Sequence, residues 1–295
     1  MLKRKNSAIL YCMNAPGIIY SDKNFIVVNK PAGLLVHPVR SSAQANLEKK
    51  DEGGAGLRRS LMNEGRLIQT SNGVNDGGSV KEKTLVDFLL VNFPEIKSVG
   101  DPSTSSGQAN LRPGIVHRLD RDTSGVMIIA RNQKTFEELK KLFSGRKMEK
   151  TYLALVCGVP SKRKGAIETP VGRSIRNPAK RGTGRHIKSG REAITYYKVI
   201  KNYGKEFSFL EVMPRTGRTH QIRVHLKSIE RPVACDRIYG GKNVCCPEFP
   251  AGSRRLFLHA SSLEFSLPEG KRWKFEADLP EDLQIALDGL TPLEV

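Results

Sequence analysis

Short apolar runs, separated by polar, Pro and Gly positions, dominate the pattern of this chain and predict β-strands. A run of a few apolar or β-branched residues between turn-forming residues is typical of a strand in a buried sheet. Two of the runs flank the turn-forming residues 202–205 and predict a hairpin. The runs lie at residues 25–28, 34–36, 126–130, 152–156, 193–200, 206–213, 256–258 and 263–265.

Three segments have apolar residues at helical spacing instead. Residues 85–92 form one helix candidate. Asn132 can cap a second helix, whose apolar residues recur three and four positions apart. A third helix is predicted to start near Thr219. Strands and helices alternate irregularly and include a hairpin, so the sequence favours an α+β protein over a regular parallel α/β protein.

One stretch breaks this pattern. Residues 40–82 are rich in Ser, Gly, Asn, Lys and Glu and contain few large apolar residues. That composition is typical of a flexible surface insertion. We therefore expect an N-terminal leader at 1–18 and one domain at 19–290, interrupted by the flexible insertion at 40–82.

Charge narrows the choice of partner. The 295 residues include 49 Lys and Arg against 30 Asp and Glu, for a formal net charge of +19. Such a chain attracts polyanions, so nucleic acid is the favoured partner, an acidic membrane surface the second, and a basic protein with no such partner the third. No apolar run approaches the roughly 20 residues of a membrane span. The N-terminus lacks a clear signal-peptide cleavage site, and we expect a cytoplasmic protein.

The five cysteines form no recognisable pattern. Their number is odd, no Cys-x-x-Cys pair occurs, and Cys245 is adjacent to Cys246. Neither a zinc site nor a disulfide framework is indicated by such spacing. The sequence therefore predicts reduced thiols, as is usual in the cytosol.

Candidate chemistry concentrates at residues 117–125, which read HRLDRDTSG and precede a predicted buried strand. Polar residues on a loop beside such a strand are placed as catalytic groups often are. A carboxylate among arginines, such as Asp120, stays ionised and can act as a nucleophile or a base. From residue types alone, it is an equally good interpretation that Asp120 and Asp122 cap the turn and pair with neighbouring arginines.

Residues 117–125 resemble the signature of the RluA-type pseudouridine synthases, and five more segments resemble motifs of that family in the same order. The resemblance runs from about Ile19 to Leu283. Cys235 departs from the pattern, because the family usually has Gly there. Because the motifs start early, we expect this protein to lack the small N-terminal S4 domain of many relatives. The five segments are 29–34 (NKPAGL), 150–156 (KTYLALV), 216–226 (TGRTHQIRVHL), 236–240 (DRIYG) and 258–260 (LHA).

This resemblance implies a pseudouridine synthase fold, with a mixed, mainly antiparallel central sheet flanked by helices and loops. It implies an isomerase that converts uridine in RNA to its C-glycoside isomer without a metal or an organic cofactor. RNA is then the partner, with ribosomal RNA the first expectation and transfer RNA the second. We expect a monomer with no membrane association and no obligate protein partner.

Three residues match catalytic positions of the family. Asp120 matches the catalytic aspartate, and Arg223 matches the arginine that pairs with it. Tyr152 matches a tyrosine whose ring can stack on uracil and whose hydroxyl can handle a proton. Taken singly, Arg223 could be a phosphate contact and Tyr152 a core residue; the motif context favours the catalytic roles.

Six residues are predicted to bind substrate. Arg118 matches an arginine thought to fill the space that a flipped nucleotide leaves; a salt bridge to Asp122 is the alternative. His117, taken alone, is more typical of a structural hydrogen-bonding histidine. The set, expected to line the cleft or contact phosphates, is Lys30, His117, Arg118, Leu119, Arg218 and Gln221.

Two other functions stay open at this point. One is a catalytically silent RNA-binding protein on the same fold, and the other is an RNA hydrolase that uses histidines. His220 and His225 are five positions apart, which is a poor spacing for joint metal ligands, so no metal site is expected. The basic residues between 162 and 191 are expected to follow RNA phosphates, with a solvated charged loop as the alternative.

Overall fold

The computed structural model describes residues 15–38, 83–101, 112–177, 179–241, 245–252, 254–268 and 270–291. The strands are β1 (Gly17–Ser21), β2 (Phe25–Lys30), β3 (Ser124–Ala130), β4 (Glu149–Cys157), β5 (Lys164–Glu168), β6 (Val171–Ser174), β7 (Arg181–Thr183), β8 (Ile187–Arg191), β9 (Ile194–Tyr203), β10 (Phe207–Pro214), β11 (Leu258–Ser266) and β12 (Arg272–Glu276). The helices are α1 (Leu85–Asn92), α2 (Gln133–Ser144), α3 (Gln221–Ser228) and α4 (Glu281–Asp288). Short 3₁₀ turns lie at Pro94–Ser98, Gly184–His186 and Pro250–Gly252.

One nine-stranded sheet organises these elements. Its strand order is β1-β2-β3-β11-β4-β10-β9-β5, and β12 pairs with β11. The β3–β11 pair is parallel, and the other pairs of this sheet are antiparallel. The predicted α+β class with a mixed, mainly antiparallel sheet is therefore confirmed. A second, three-stranded sheet has the order β7-β6-β8.

The first half of the large sheet is covered on both faces, because alternate strand residues point to opposite sides. Phe25 and Val27 of β2 pack in one cluster with the apolar side of α2 and the aromatic residues of β12. Ile26 and Val28 pack in another cluster with α1. Burial on both faces explains why β2 and β3 read as continuous apolar runs rather than as alternating ones.

The second half of the sheet has the same layered construction. Ile222 and Leu226 of α3 pack on one face against β4, β9 and β10. Leu283 and Leu287 of α4 pack in a cluster that also contains Leu155 of β4 and residues of the neighbouring strands. The second half of the sheet therefore carries α3, the helix that bears the predicted catalytic arginine.

Most predicted elements are confirmed. The helix at 85–92 has the predicted bounds, and the Asn132 side chain accepts a hydrogen bond from Thr135 N at the start of α2. The predicted hairpin is β9–β10. The helix expected near Thr219 begins at Gln221, and the runs at 256–258 and 263–265 belong largely to one strand, β11.

One predicted strand is wrong. Residues 34–36 make a single bridge, Leu35 to Thr84, rather than a strand. The carbonyl oxygens of Leu35 and Val36 accept hydrogen bonds from Leu85 N and Val86 N. This segment therefore satisfies the first amide groups of α1, which have no partner within the helix itself.

The prediction of reduced thiols is also wrong. Cys157 is bonded to Cys245, and Cys235 is bonded to Cys246. The two neighbouring cysteines thus reach different partners. The sequence separations are 88 and 11 residues, and neither partner can be read from local spacing.

The predicted domain limits fall largely outside the described residues. The whole insertion at 40–82 lies there, and so does most of the leader at 1–18. Strand β1 begins at Gly17, two residues before the expected start of the domain. No helix among the described residues is long and apolar enough to cross a membrane.

Candidate active site

A cleft of about 510 Å³ brings the separate sequence motifs together. The loop before β3 contributes Asp120, the start of β4 contributes Tyr152, and α3 contributes Arg223. These residues are far apart in the sequence and share one cavity because β3, β11, β4 and β10 are neighbours in the sheet. Gly125 permits the close approach of β3 to β11, since a Cβ there would lie 2.2 Å from Ala260 O.

The loop that carries Asp120 is tied to the turn after β2. Gly33 N donates to Arg121 O at 2.9 Å, and Arg121 Nε donates back to Gly33 O at 3.1 Å. Gly33 has a φ of 84°, a left-handed conformation that glycine adopts without strain. The NKPAGL motif thus supports the loop that carries Asp120.

Lys30 contradicts its predicted role. Its side chain is fully buried, and Nζ donates to Pro31 O, Leu34 O and Arg121 O at 2.9, 2.9 and 3.0 Å. Burial lowers the pKa of Lys30 to about 7, while the charges of Asp122 and Asp120 act in the opposite direction. Because the Lys30 Nζ already donates to three backbone carbonyl oxygens, it does not contact phosphates. It stabilises the turn and the loop beside Asp120 instead.

Arg223 lies between two carboxylates. Its Nη1 is 3.4 Å from Asp120 Oδ2, a long hydrogen bond, whereas Nε and Nη2 donate to Asp236 at 2.7 and 2.8 Å. Burial alone would lower the pKa of Arg223, but Asp236 and Asp120 together raise it. The predicted pairing with Asp120 is present, and the stronger, two-pronged partner is Asp236.

Asp236 is a site residue that sequence reasoning did not single out. Its side chain is buried and accepts from the backbone amides of Ile238 and Tyr239 as well as from Arg223. Burial would raise the pKa of Asp236, but Arg223 outweighs it and the pKa is lowered. The DRIYG segment resembles a family motif, and this resemblance was the sequence signal that could have pointed to Asp236. No role was predicted for its aspartate.

Tyr152 faces the same cleft. It pairs with Val212 of β10 and Ala260 of β11, which fixes its position next to the Asp120 loop. Burial, with a smaller contribution from the charge of Asp120, raises the pKa of its hydroxyl. The phenol is therefore neutral at physiological pH and available as a hydrogen-bond donor.

His220 is a second residue that sequence reasoning missed. It was considered only as a metal ligand, yet its Nε2 lies 3.8 Å from Asp120 Oδ2. Its Nδ1 lies 2.8 Å from the hydroxyl of Tyr239, whose ring packs against the Arg223 guanidinium at 5.1 Å. Burial lowers the pKa of His220, and the charge of Asp120 opposes that shift.

Comparisons with known proteins agree with this arrangement. Residues 95–228 match the family described as RNA pseudouridylate synthase. An uncharacterized RNA pseudouridine synthase of Aquifex aeolicus is 38% identical over 268 residues, covering 90% of this chain and 69% of that protein. Ribosomal large subunit pseudouridine synthase D of Borreliella burgdorferi is 32% identical and covers 92% and 67%. The chain belongs to the RNA pseudouridine synthase family.

Other matches define the extent of the similarity. An uncharacterized RNA pseudouridine synthase of Chloroflexus aurantiacus is 41% identical over 205 residues, and the match covers 69% of this chain but only 59% of that relative. Among solved structures, human RNA pseudouridylate synthase domain containing 4 superposes with a TM-score of 0.62 at 22% identity, covering 97% of both chains. Human RNA pseudouridylate synthase domain containing 1 gives the same TM-score, 0.62, at 21% identity, so both show a shared fold.

Within this family fold, the five predicted substrate-binding residues other than Lys30 separate into two groups. Arg118 is exposed at the cleft and, in the described part of the chain, makes no ion pair with Asp122. Arg218 lines the cleft, and its Nε donates to Glu192 O. Both arginines are placed where RNA could contact them.

The other three are held by the protein itself. Gln221 is buried and bonds to Thr216, Arg218 N, Ile194 O and Thr195. His117 Nε2 accepts from Ile128 N, and burial lowers its pKa to about 3, so it is neutral. Leu119 belongs to the α1 cluster. These residues border the cleft, but the Gln221 side chain and His117 Nε2 are engaged in hydrogen bonds within the protein.

The contacts of the described residues do not support an RNA hydrolase that uses histidines. His225 is buried between Thr195 and Thr169 O, away from His220 at the cleft. Ser124 Oγ does lie 2.9 Å from His259 Nδ1, a pair that sequence reasoning did not foresee, but both residues are buried at 1% and 0% exposure. Among the described residues no group of three or more His, Cys, Asp or Glu could hold a metal.

Proposed function

We propose that this protein is an RNA pseudouridine synthase, an isomerase that acts through Asp120. The observation that carries the proposal is the placement of Asp120, Tyr152 and Arg223 around one cleft, with Arg223 locked by Asp236. A carboxylate held by a buried guanidinium is oriented before substrate arrives, which is the main requirement for catalysis by a positioned group.

The reaction requires bond exchange without any oxidant or reductant. The C1′–N1 glycosidic bond breaks, the uracil turns, and a C1′–C5 bond forms; C5 loses a proton and N1 gains one. Asp120 assists the cleavage, and Arg223 holds its carboxylate. The neutral Tyr152 ring stacks on the base, and its hydroxyl is positioned to donate a hydrogen bond.

The target nucleotide reaches this cleft by base flipping. A uridine stacked in a helix presents neither its sugar carbon nor its C5 to a carboxylate, so it must leave the stack. Arg118 is exposed at the cleft and carries a long cationic side chain. It is suited to fill the space that the flipped base leaves behind.

A second cavity supports RNA as the substrate. It has a volume of about 500 Å³ and adjoins the cleft, because Arg218 and Thr219 line both. Among the described residues, no acidic side chain lines it. Its basic residues come from the β6–β7–β8 sheet and from the loop before α3, and they are Arg173, Arg181, Lys188, Arg191 and Arg218. RNA phosphates leading away from the flipped nucleotide would follow this path, and binding would weaken steeply with salt.

Ribosomal RNA is the substrate we favour, and transfer RNA the second. The large-subunit name of the Borreliella burgdorferi relative supports the first choice. We propose that the protein works as a monomer in the cytoplasm, where these RNAs are found. Thiol alkylation of the protein in lysed cells would show whether its two disulfides form in that compartment.

Mapping of pseudouridines by carbodiimide labelling tests the proposal. Total RNA from cells with and without the gene is compared, and the cells lacking it are complemented with wild type or with Asp120→Asn. We expect specific positions in large-subunit ribosomal RNA to vanish with the gene and to return with wild type alone. Return of those positions with Asp120→Asn would instead support the catalytically silent RNA-binding alternative.

A further inference from the structure

Three buried side-chain polar atoms in the described part of the chain have no hydrogen-bond partner: His37 Nε2, Thr123 Oγ1 and Trp273 Nε1. Folded proteins pair nearly all such atoms, so each exception calls for an explanation. His37 and Thr123 both line the catalytic cleft. Trp273 lies instead in the aromatic cluster with Tyr20 and Phe25. Two of the three unpaired atoms therefore belong to residues of one cavity.

Thr123 is adjacent to the catalytic group. It is 2% exposed, and its backbone amide donates to Asp120 O at 3.2 Å, which fixes it on the catalytic loop. Its hydroxyl can donate one hydrogen bond and accept others. A valine would fit the same space without an unpaired hydroxyl, so the protein gains no stability from keeping a threonine here.

His37 offers the opposite kind of group. Its Nδ1 lies 3.0 Å from Pro38 O, and a carbonyl oxygen only accepts, so Nδ1 carries the proton. Burial lowers the pKa of His37; the Pro38 hydrogen bond opposes this shift, and the charges of Arg112 and Arg118 add to it. The ring is therefore neutral at physiological pH, and Nε2 presents a lone pair as an acceptor.

We propose that His37 and Thr123 recognise the Watson–Crick edge of the flipped uracil, His37 Nε2 accepting from N3–H and the Thr123 hydroxyl donating to the neighbouring carbonyl oxygen. This assignment rests on the proposed function and names the base that the cleft selects. Uracil presents acceptor, donor and acceptor along that edge, and flipped bases are commonly read there. Cytosine has an unprotonated N3, which would face Nε2 with two lone pairs opposed.

The same two contacts suit a base that must turn during the reaction. A half-turn of uracil about the line through N3 and C6 exchanges N1 with C5 and O2 with O4. The N3–H group stays on that line, so its hydrogen bond to His37 can act as a pivot. Thr123 meets a carbonyl oxygen both before and after the turn. The recognition edge is thus unchanged while the atom facing C1′ changes from N1 to C5.

Paired substitutions test this assignment. Thr123→Val and His37→Phe remove the two polar groups while keeping similar shapes, and Thr123→Ser and His37→Gln retain a hydroxyl and an acceptor. Trp273→Phe removes the third unpaired atom, outside the cleft, and is the matched control. Each full-length variant is assayed in single turnover on an unmodified transcript of large-subunit ribosomal RNA, and its Tm is measured without RNA.

We expect Thr123→Val and His37→Phe to slow pseudouridine formation by about 3- to 10-fold each, as loss of one hydrogen bond predicts. Their Tm should equal or exceed that of wild type, because an unpaired polar atom is removed. Thr123→Ser and His37→Gln should recover most of the rate, and Trp273→Phe should leave it unchanged. A structural role would give the reverse, a lower Tm with an unchanged rate, and would overturn the assignment.

A modified substrate keeps the test independent of folding. An RNA with 3-methyluridine at the target position lacks N3–H, and we expect wild type to lose most of its rate on it. His37→Ala, with space for the methyl group, should show a much smaller difference between the two RNAs. Equal differences for both proteins would overturn the His37 contact. Absence of pseudouridine from the wild-type reaction on normal RNA would instead overturn the proposed function, and this assignment with it.

Discussion

The two walls of the catalytic cleft are held in place by different kinds of interaction. The wall that carries Asp120 is fixed by hydrogen bonds to backbone groups, centred on the buried Nζ of Lys30. The wall that carries Arg223 is fixed by an ion pair to Asp236, in a segment cross-linked through Cys235. The loop that carries Asp120 and the guanidinium of Arg223 are thus anchored by separate interactions, and each wall should fail under its own conditions.

The largest effect is expected from the ion pair. Arg223→Met should lower pseudouridine formation by about 10³-fold, since Asp120 loses its orienting partner. It should also destabilise the protein by about 3–5 kcal/mol, because Asp236 is left buried without its cation. Single-turnover assays and chemical denaturation measure the two effects.

A double variant separates these effects. Arg223→Met combined with Asp236→Asn removes the unpaired buried charge, so much of the lost stability should return while activity stays low. Recovery of activity in the double variant would show that Asp120 is oriented by something other than Arg223.

The opposite wall should respond to Lys30→Met by losing stability first. Three buried carbonyl oxygens lose their donor, which should cost about 2–5 kcal/mol. Activity should fall less than in Arg223→Met, because Gly33 and Arg121 still join the turn to the catalytic loop. Chemical denaturation and rates of pseudouridine formation, measured on the same preparation of each variant, compare Lys30→Met with Arg223→Met.

Lys30 also gives this wall a pH dependence. Its pKa is about 7 in the folded protein and 10.5 for an ordinary lysine. Between those values the unfolded chain holds a proton that the folded protein has released, so the Lys30 contribution to stability rises with pH. The free energy of unfolding of wild type relative to Lys30→Met should therefore increase by about 1.4 kcal/mol per pH unit above pH 7. A flat difference would mean that the three carbonyl groups keep Lys30 charged.

The disulfides should give a smaller effect, confined to the Arg223 wall. Loss of either bond should cost about 2–4 kcal/mol. Cys235→Ala/Cys246→Ala should also reduce activity, because Cys235 precedes Asp236, whereas Cys157→Ala/Cys245→Ala should reduce stability alone.

Cys235 offers a finer test on the same variants. Its φ is 58°, a left-handed conformation that costs a non-glycine residue about 1 kcal/mol. Cys235→Gly/Cys246→Ala should therefore be more stable than Cys235→Ala/Cys246→Ala by about that amount. Equal Tm values for the two would show that the positive φ carries no strain.

The same contrast explains what the sequence could predict. Asp120, Tyr152 and Arg223 lie in ordered motifs, and the apolar runs around them predict the strands that bring them together. Local pattern does not reveal which polar group satisfies another across the fold, so Lys30 was placed in the cleft and Asp236 was given no role. The Gly that the family usually has before Asp236 is consistent with the positive φ at Cys235. The disulfide partners, in contrast, are determined by tertiary contacts, which local sequence does not reveal.

The most direct test of the account compares wild type with Asp120→Asn on an unmodified transcript of large-subunit ribosomal RNA, measuring pseudouridine formation and RNA binding together. The account predicts that Asp120→Asn lowers formation by at least about 10³-fold while its affinity stays within about 3-fold of wild type, because phosphate contacts dominate binding. Pseudouridine formation by Asp120→Asn at the wild-type rate would contradict the central claim.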